Sequence, residues 1–243
     1  MTRPLEQKTI GILGGMSNRA TVEYYNFINT AVNQRLGNWD IAETLIIGCN
    51  FGNIEYFVRH GQWQLAEEYL LTKAKQAEAG GADILICMSN TMHKVLANID
   101  EQINIPFLHI ASPTAAAIKQ QGLSKVALLG TKPVMAERYM AEQYERVGID
   151  IMVPSPAQQD LVDTIIFDEL VKNIVTCESK QAYIDICLDL KSQGAQGIIL
   201  GCTEIFLLIQ ASDFDDLPLF NTTQLHVEAV VSMATTQLLT TTS

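Results

Sequence analysis

The sequence predicts an α/β fold of two pseudo-symmetric lobes, each a mostly parallel four-stranded sheet flanked by helices, with the active site in the cleft between them. Three observations predict it. Short apolar runs alternate with helical stretches of roughly ten residues or more, the pattern of parallel sheets built from right-handed crossovers. Several of those runs stop abruptly in glycine or small polar residues, as at Ser89-Asn90-Thr91, and the strand ends of an open α/β sheet are where such folds place a ligand. Finally, the first half returns in the second. Ile10-Gly11-Ile12-Leu13-Gly14 matches Val126-Ala127-Leu128-Leu129-Gly130 at an offset of 116 residues, and Ile105-Pro106-Phe107-Leu108 matches Leu217-Pro218-Leu219-Phe220 at 112. Between them, Gly81 to Asn90 matches Gly194 to Thr203 at 113, which sets Ser89 on Cys202. Three matches in one order at nearly one offset indicate an internal duplication.

Taken in order, Thr9–Leu13 is an apolar run that stops at Gly14-Gly15, and residues 18–34 carry Ala20, Tyr24, Phe27, Ile28 and Ala31 at helical spacing. The run 43–49 is the second strand and closes on Asn50. A long helix over 62–79 stacks Trp63, Ala66, Leu70, Ala74 and Ala77, and Gly80-Gly81 ends it. The strand 84–88, a helix over 91–99 and the strand 107–110 complete the first lobe. The second lobe reads as strand 125–129, helix 134–147, strand 150–153, helices 161–174 and 180–193, and strand 198–201. A strand over 217–220 and a helix over 224–239 follow. The expected domains are 1–112, completed by the C-terminal segment 214–243, and 113–213.

The bulk numbers exclude several classes. A chain of 243 residues, 48% hydrophobic and 18% charged, can bury a substantial core. A net charge of −11 argues against nucleic acid, whose phosphates call for clustered Lys and Arg. Met1–Lys8 has no apolar segment of a secretory signal behind it, and no run approaches the roughly 18 apolar residues of a membrane span. The five cysteines, Cys49, Cys87, Cys177, Cys187 and Cys202, follow no disulfide framework and fit reduced thiols in a cytoplasmic protein. The four histidines form no ligand spacing with them, so no metal site is expected.

Gly11 to Ser17 lacks both the G-x-G-x-x-G order and the Walker lysine, so it does not read as a nucleotide loop. Two readings stay open: amides that converge on an anion such as a carboxylate, or a plain tight turn. Cys87, inside its apolar run, reads as packing, because the repeat sets it on Leu200. Cys202 lies just past the apolar run 198–201, where a helix start would lower its thiol pKa below the usual ~8.5. Ser89-Asn90-Thr91 reads either as a helix cap or as a functional tip. His93 and His226 read as packing histidines, with His93 behind the tip.

At these residues the sequence resembles the aspartate/glutamate racemase family. The resemblance rests on Gly14-Gly15-Met16-Ser17, Asn90-Thr91-Met92-His93-Lys94, Pro106 to Ile110, Leu129-Gly130-Thr131, Gly194 to Gly197 leading to Gly201-Cys202-Thr203-Glu204-Ile205, and Phe220 to Thr223 with His226. It implies two α/β lobes, no cofactor, a homodimer, and 1,1-proton transfer at Cα of a small acidic amino acid, with one acid/base on each substrate face. The matching positions are Cys202 and Ser89, where the family pattern has two cysteines. The resemblance further implies substrate contacts from Met16, Ser17, Asn50, Asn90, Thr91, Thr131 and Thr203. The chain departs from the pattern in three places. Ser89 replaces a cysteine, Asn18-Arg19-Ala20-Thr21 replaces a tryptophan-containing segment, and Leu161-Val162-Asp163-Thr164 stands where some relatives carry a basic residue. Since a serine hydroxyl is not ionised near neutral pH without a strong partner, the expected reaction is asymmetric between enantiomers. Two rival readings follow from a single thiol: decarboxylation of a malonate-like acid, or an acidic-amino-acid binder that turns nothing over.

Overall fold

A computed structural model describes residues 6–240; positions 1–5 of the Met1–Lys8 reading and the end of the 214–243 segment lie outside the described residues. The chain divides into two compact units. The first holds the chain up to Met88, Val95–His109, and the chain from His226 onward; the second holds Ser89–Lys94 and Ile110–Leu225.

In the first unit the order is β1 (Ile10–Gly14), α1 (Asn18–Leu36), β2 (Thr44–Gly48), α2 (Phe51–Arg59), α3 (Trp63–Ala79), β3 (Ile84–Cys87) and β4 (Phe107–Leu108). All pairings are parallel, in the sheet order β2-β1-β3-β4. Central parallel strands are covered on both faces, which is why β1 and β3 are continuous apolar runs and wholly buried. On α1, Ala20, Tyr24, Ile28, Val32 and Leu36 recur every fourth residue and form its buried stripe. On α3, Ala66, Leu70, Ala74 and Ala77 form the buried stripe at steps of four, four and three.

The second unit runs α4 (Ala111–Gln120), β5 (Lys125–Gly130), α5 (Lys132–Ala136), α6 (Arg138–Glu145), β6 (Asp150–Met152), α7 (Pro156–Asp168), α8 (Cys177–Ser192), β7 (Ile198–Gly201) and β8 (Leu219–Asn221). Its sheet, β6-β5-β7-β8, is again all parallel and repeats the connectivity of the first. The offsets read from the sequence carry β1 onto β5, β3 onto β7 and β4 onto β8. Gly81 and Gly194, paired by the repeat, both take left-handed backbone just before β3 and β7, at φ of 94° and 103°. One core packs β7 and β5 side chains under α7 and α8, around Val162, Tyr183, Ile186 and Leu200. A second packs Val126, Leu128 and Ile199 under α4 and α6. The last helix, α9 (Thr222–Thr240), begins directly after β8.

Several expectations need correction. The segment 214–243 does not complete the first lobe as a block, because Leu219 and Phe220 pair with Ile198 and Ile199 in the second sheet and only the chain from His226 joins the first unit. Nor does the boundary at 112 hold for the tip, since Ser89–Lys94 are gripped by the second unit. The helix expected over 91–99 is instead two short 3₁₀ turns, Thr91–Val95 and Ile99–Glu101. The helix expected over 134–147 is broken at Glu137, whose backbone is extended (φ −101°, ψ 151°) and whose carboxylate pairs with Lys94 at 2.5 Å. The structure adds two helices, α2 and α4, in stretches that the sequence pattern leaves without an element.

Candidate active site

The expected site residues fall into two groups. Met16, Ser17 and Asn50 belong to the first unit; Ser89, Asn90, Thr91, Thr131, Cys202 and Thr203 belong to the second.

In the first unit, the turn after β1 is closed by its own hydrogen bonds. The Gly15 amide donates to Thr21 Oγ1 at 2.8 Å, and that hydroxyl donates to the Ser17 carbonyl at 2.6 Å. Ser17 Oγ accepts from the Ala20 amide at 3.3 Å, so Ser17 caps α1. The Gly15 and Ala20 amides are thus occupied within the turn and are not part of an anion cradle. Gly15 has φ of 80°, and a Cβ there would lie 2.1 Å from the Cys49 carbonyl oxygen, so only glycine fits. Met16 is buried. Asn50 is exposed and caps α2, its Oδ1 accepting from the Gly52 amide at 3.1 Å.

In the second unit the strand ends converge chemically. Asn90 Nδ2 donates to Thr222 Oγ1 at 3.2 Å, and Thr222 Oγ1 donates to the Leu200 carbonyl at 2.8 Å. The tip that carries Ser89 is thereby tied to β7 two residues before Cys202. Thr91 Oγ1 and Thr131 Oγ1 share a hydrogen bond of 2.9 Å, which ties the same tip to the end of β5. The Tyr139 hydroxyl donates to the Asn90 carbonyl at 3.4 Å. Asn90 is only 4% exposed, yet its Oδ1 has no hydrogen-bond partner. A buried acceptor left open in this way costs about 1–3 kcal/mol unless something supplies a donor. Ser89 Oγ accepts weakly from the Met92 amide at 3.4 Å, a contact of the kind the capping reading expects.

Close approach at the strand ends is made possible by glycine. Gly130 and Gly201 are register partners, and a Cβ on either would meet the other strand's backbone oxygen at 2.8 or 2.7 Å.

Cys202 is half-buried, and its environment is the reverse of the one expected. No long helix starts there; β7 passes through a turn into the short 3₁₀ segment Ile205–Leu207. Burial, followed by the nearby Glu204 carboxylate, raises its thiol well above the ordinary range. Cys202 Sγ donates to Glu204 Oε2 at 3.2 Å, and Thr203 Oγ1 donates to the same oxygen at 2.5 Å. Glu204 is 4% exposed. Sequence reasoning placed Glu204 in the motif without giving it a role; a carboxylate two residues after a strand-end thiol was the available signal. The other thiols sit elsewhere. Burial pushes Cys49 up to about 11 and Cys187 up to about 12, Cys87 is fully buried in β3, and Cys177 is exposed. In the segment 161–164, Leu161 is 43% exposed and Asp163 accepts the Lys132 amide at 2.6 Å.

Among the described residues no helix is long and apolar enough to cross a membrane. Comparison with known proteins gives a family model, Asp/Glu/hydantoin racemase, matching residues 13–230. The broad specificity amino-acid racemase RacX of Bacillus subtilis is 22% identical over 92% of this chain and 96% of its own length. A crystal structure from Yersinia pestis, provisionally described as an Asp/Glu racemase, is 38% identical, with a TM-score of 0.87 over 93% of this chain and 99% of that one. An aspartate racemase homologue from Pyrococcus horikoshii is 28% identical, with a TM-score of 0.82 over 94% and 99% of the two chains. The duplicated sheet order, the Cys202 strand end and the family match over most of the chain lead to one statement: this chain belongs to the Asp/Glu/hydantoin racemase family.

Proposed function

We propose that the protein is a cofactor-independent amino-acid racemase that interconverts the L and D forms of aspartate, glutamate or both by 1,1-proton transfer at Cα. The observation that carries the reading is the Cys202–Glu204 pair. A thiol held in its protonated form is ready to donate to a carbanion. The buried carboxylate beside it offers an acceptor when the thiol must act as base, so one thiol serves both half-reactions on its face. Asn90 Oδ1 is the open acceptor for an α-ammonium, and the Thr91–Thr131 pair keeps one hydroxyl proton for a carboxylate, whereas the Thr203 hydroxyl proton is given to Glu204. Ser89 takes the position of the second acid/base. Its hydroxyl is the weaker of the two, which makes proton transfer on its face slow.

Proton exchange at Cα in heavy water, followed separately from each enantiomer of aspartate and glutamate, tests this. Fast exchange from one enantiomer and slow exchange from the other is expected. Ser89→Cys should accelerate the slow side roughly tenfold or more, and Cys202→Ala should abolish the fast side. Equal fast exchange from both enantiomers would sink the asymmetry. Carbon dioxide release without exchange would point to decarboxylation instead.

A further inference from the structure

We infer that His93 is a positioning residue for Ser89: its imidazole, clamped between the Ser89 carbonyl and the Ile110 amide, fixes the turn that presents the Ser89 hydroxyl. His93 is 1% exposed. Its Nδ1 lies 2.8 Å from the Ser89 carbonyl oxygen, and its Nε2 lies 3.1 Å from the Ile110 nitrogen. A carbonyl only accepts and a backbone N–H only donates. Nδ1 therefore carries the proton, Nε2 carries the lone pair, and the ring is neutral in a single tautomer. With both nitrogens engaged by main chain, the imidazole is not the base of a Ser–His pair. It acts on Ser89 through the backbone.

The second contact gives the brace its anchor. Ile110 immediately precedes α4, and its own apolar side chain makes no capping bond there. The amides at a helix start lack intrahelical acceptors, and Nε2 supplies one. A single ring thus joins the carbonyl of residue 89 to the N-cap residue of α4, both within the second unit. The tip needs such a brace because it is a 3₁₀ turn rather than a full helix, and a proton-transfer group misplaced by about 1 Å can lose roughly a hundredfold in rate. The neighbouring ties from Thr222, Thr131 and Tyr139 hold Asn90 and Thr91; the Ser89 carbonyl is the one His93 holds.

The proposal rests on Ser89 as the second proton-transfer position. Asn at 93 keeps a donor near Nδ1, and Gln keeps an acceptor near Nε2, so His93→Asn and His93→Gln separate the two contacts. Exchange of the α-proton is measured from each enantiomer in both variants, alongside melting temperature. His93→Gln is expected to lower kcat on the Ser89 side about tenfold, with KM and Cys202-side exchange within about twofold of wild type. His93→Asn is expected to recover most of that loss. Equal losses on both sides, or identical behaviour of the two variants, would overturn the assignment. If the wild-type protein exchanges no amino acid, the proposed reaction has failed and the brace is judged without turnover. Nitrogen-15 shifts must then show the Nδ1–H tautomer, and the 89–92 amides must exchange faster in His93→Gln than in His93→Asn. An Nε2–H tautomer, or unchanged amide exchange, would refute the brace.

Discussion

The Cys202 thiol donates to Glu204 Oε2 over 3.2 Å, and the direction of the thiol's shift follows from its surroundings. Burial is the first cause and the Glu204 charge the second, and both disfavour thiolate. The thiol therefore stays protonated to a higher pH than an ordinary cysteine. Replacing Glu204 by Gln removes the negative neighbour and leaves the burial, so the titration should move to lower pH without reaching the ordinary value. The pH dependence of Cys202 alkylation, measured with exposed Cys177 replaced by Ser, reads this directly. A midpoint unmoved by Glu204→Gln would mean that burial alone sets the thiol. Turnover should fall in the same variant, because the acceptor for the thiol proton is gone. The sequence offered Cys202 and its motif but not this sign. A strand-end cysteine followed by Thr-Glu looks like a helix start, and only the fold shows that the turn brings the carboxylate back against the sulfur.

Among the elements, the central strands were legible and the short connections were not. The runs at β1, β3, β5 and β7 are apolar throughout because both faces of a central parallel strand are covered. By contrast, α2 has nine residues and buries only Ile54, too little periodicity to stand out. The stretch after Ser89 has helical composition but is held by Thr222, Thr131 and His93 in a tighter turn. The glycine turn between β1 and α1 was visible as a feature, and both its open readings concerned backbone amides. The structure assigns the Gly15 amide to Thr21. Gly15→Ala tests how much the turn matters. The added Cβ meets the Cys49 backbone and the residue must keep a φ of 80°, so a loss of about 3 kcal/mol or more in unfolding free energy is expected. Denaturant titration measures it. A loss below about 1 kcal/mol would show that β2 can shift to admit the methyl group.

At the scale of the whole molecule, the duplication explains the sheets, and the terminal helix explains how the chain closes its first unit. His226, fully buried on α9, has Nε2 at 2.9 Å from the Leu108 carbonyl and Nδ1 at 3.2 Å from the Tyr24 hydroxyl. The carbonyl requires a proton on Nε2, so Nδ1 accepts from Tyr24, and one neutral ring joins α9 to β4 and α1. Burial lowers its pKa from 6.5 to about 4. The unfolded chain, where the ring has its ordinary value, therefore binds more protons than the folded chain between those two pH values. Stability rises with pH wherever that is so. The contribution of His226 is complete above about pH 6.5 and is lost progressively as pH falls toward 4, by about 3 kcal/mol in total. Unfolding free energies at pH 7 and pH 5 should differ in that direction, and the His226 ring should titrate below pH 5 by NMR. A ring that titrates near 6.5 in the folded protein would mean that α9 opens readily, and the acid loss would then have to come from other groups.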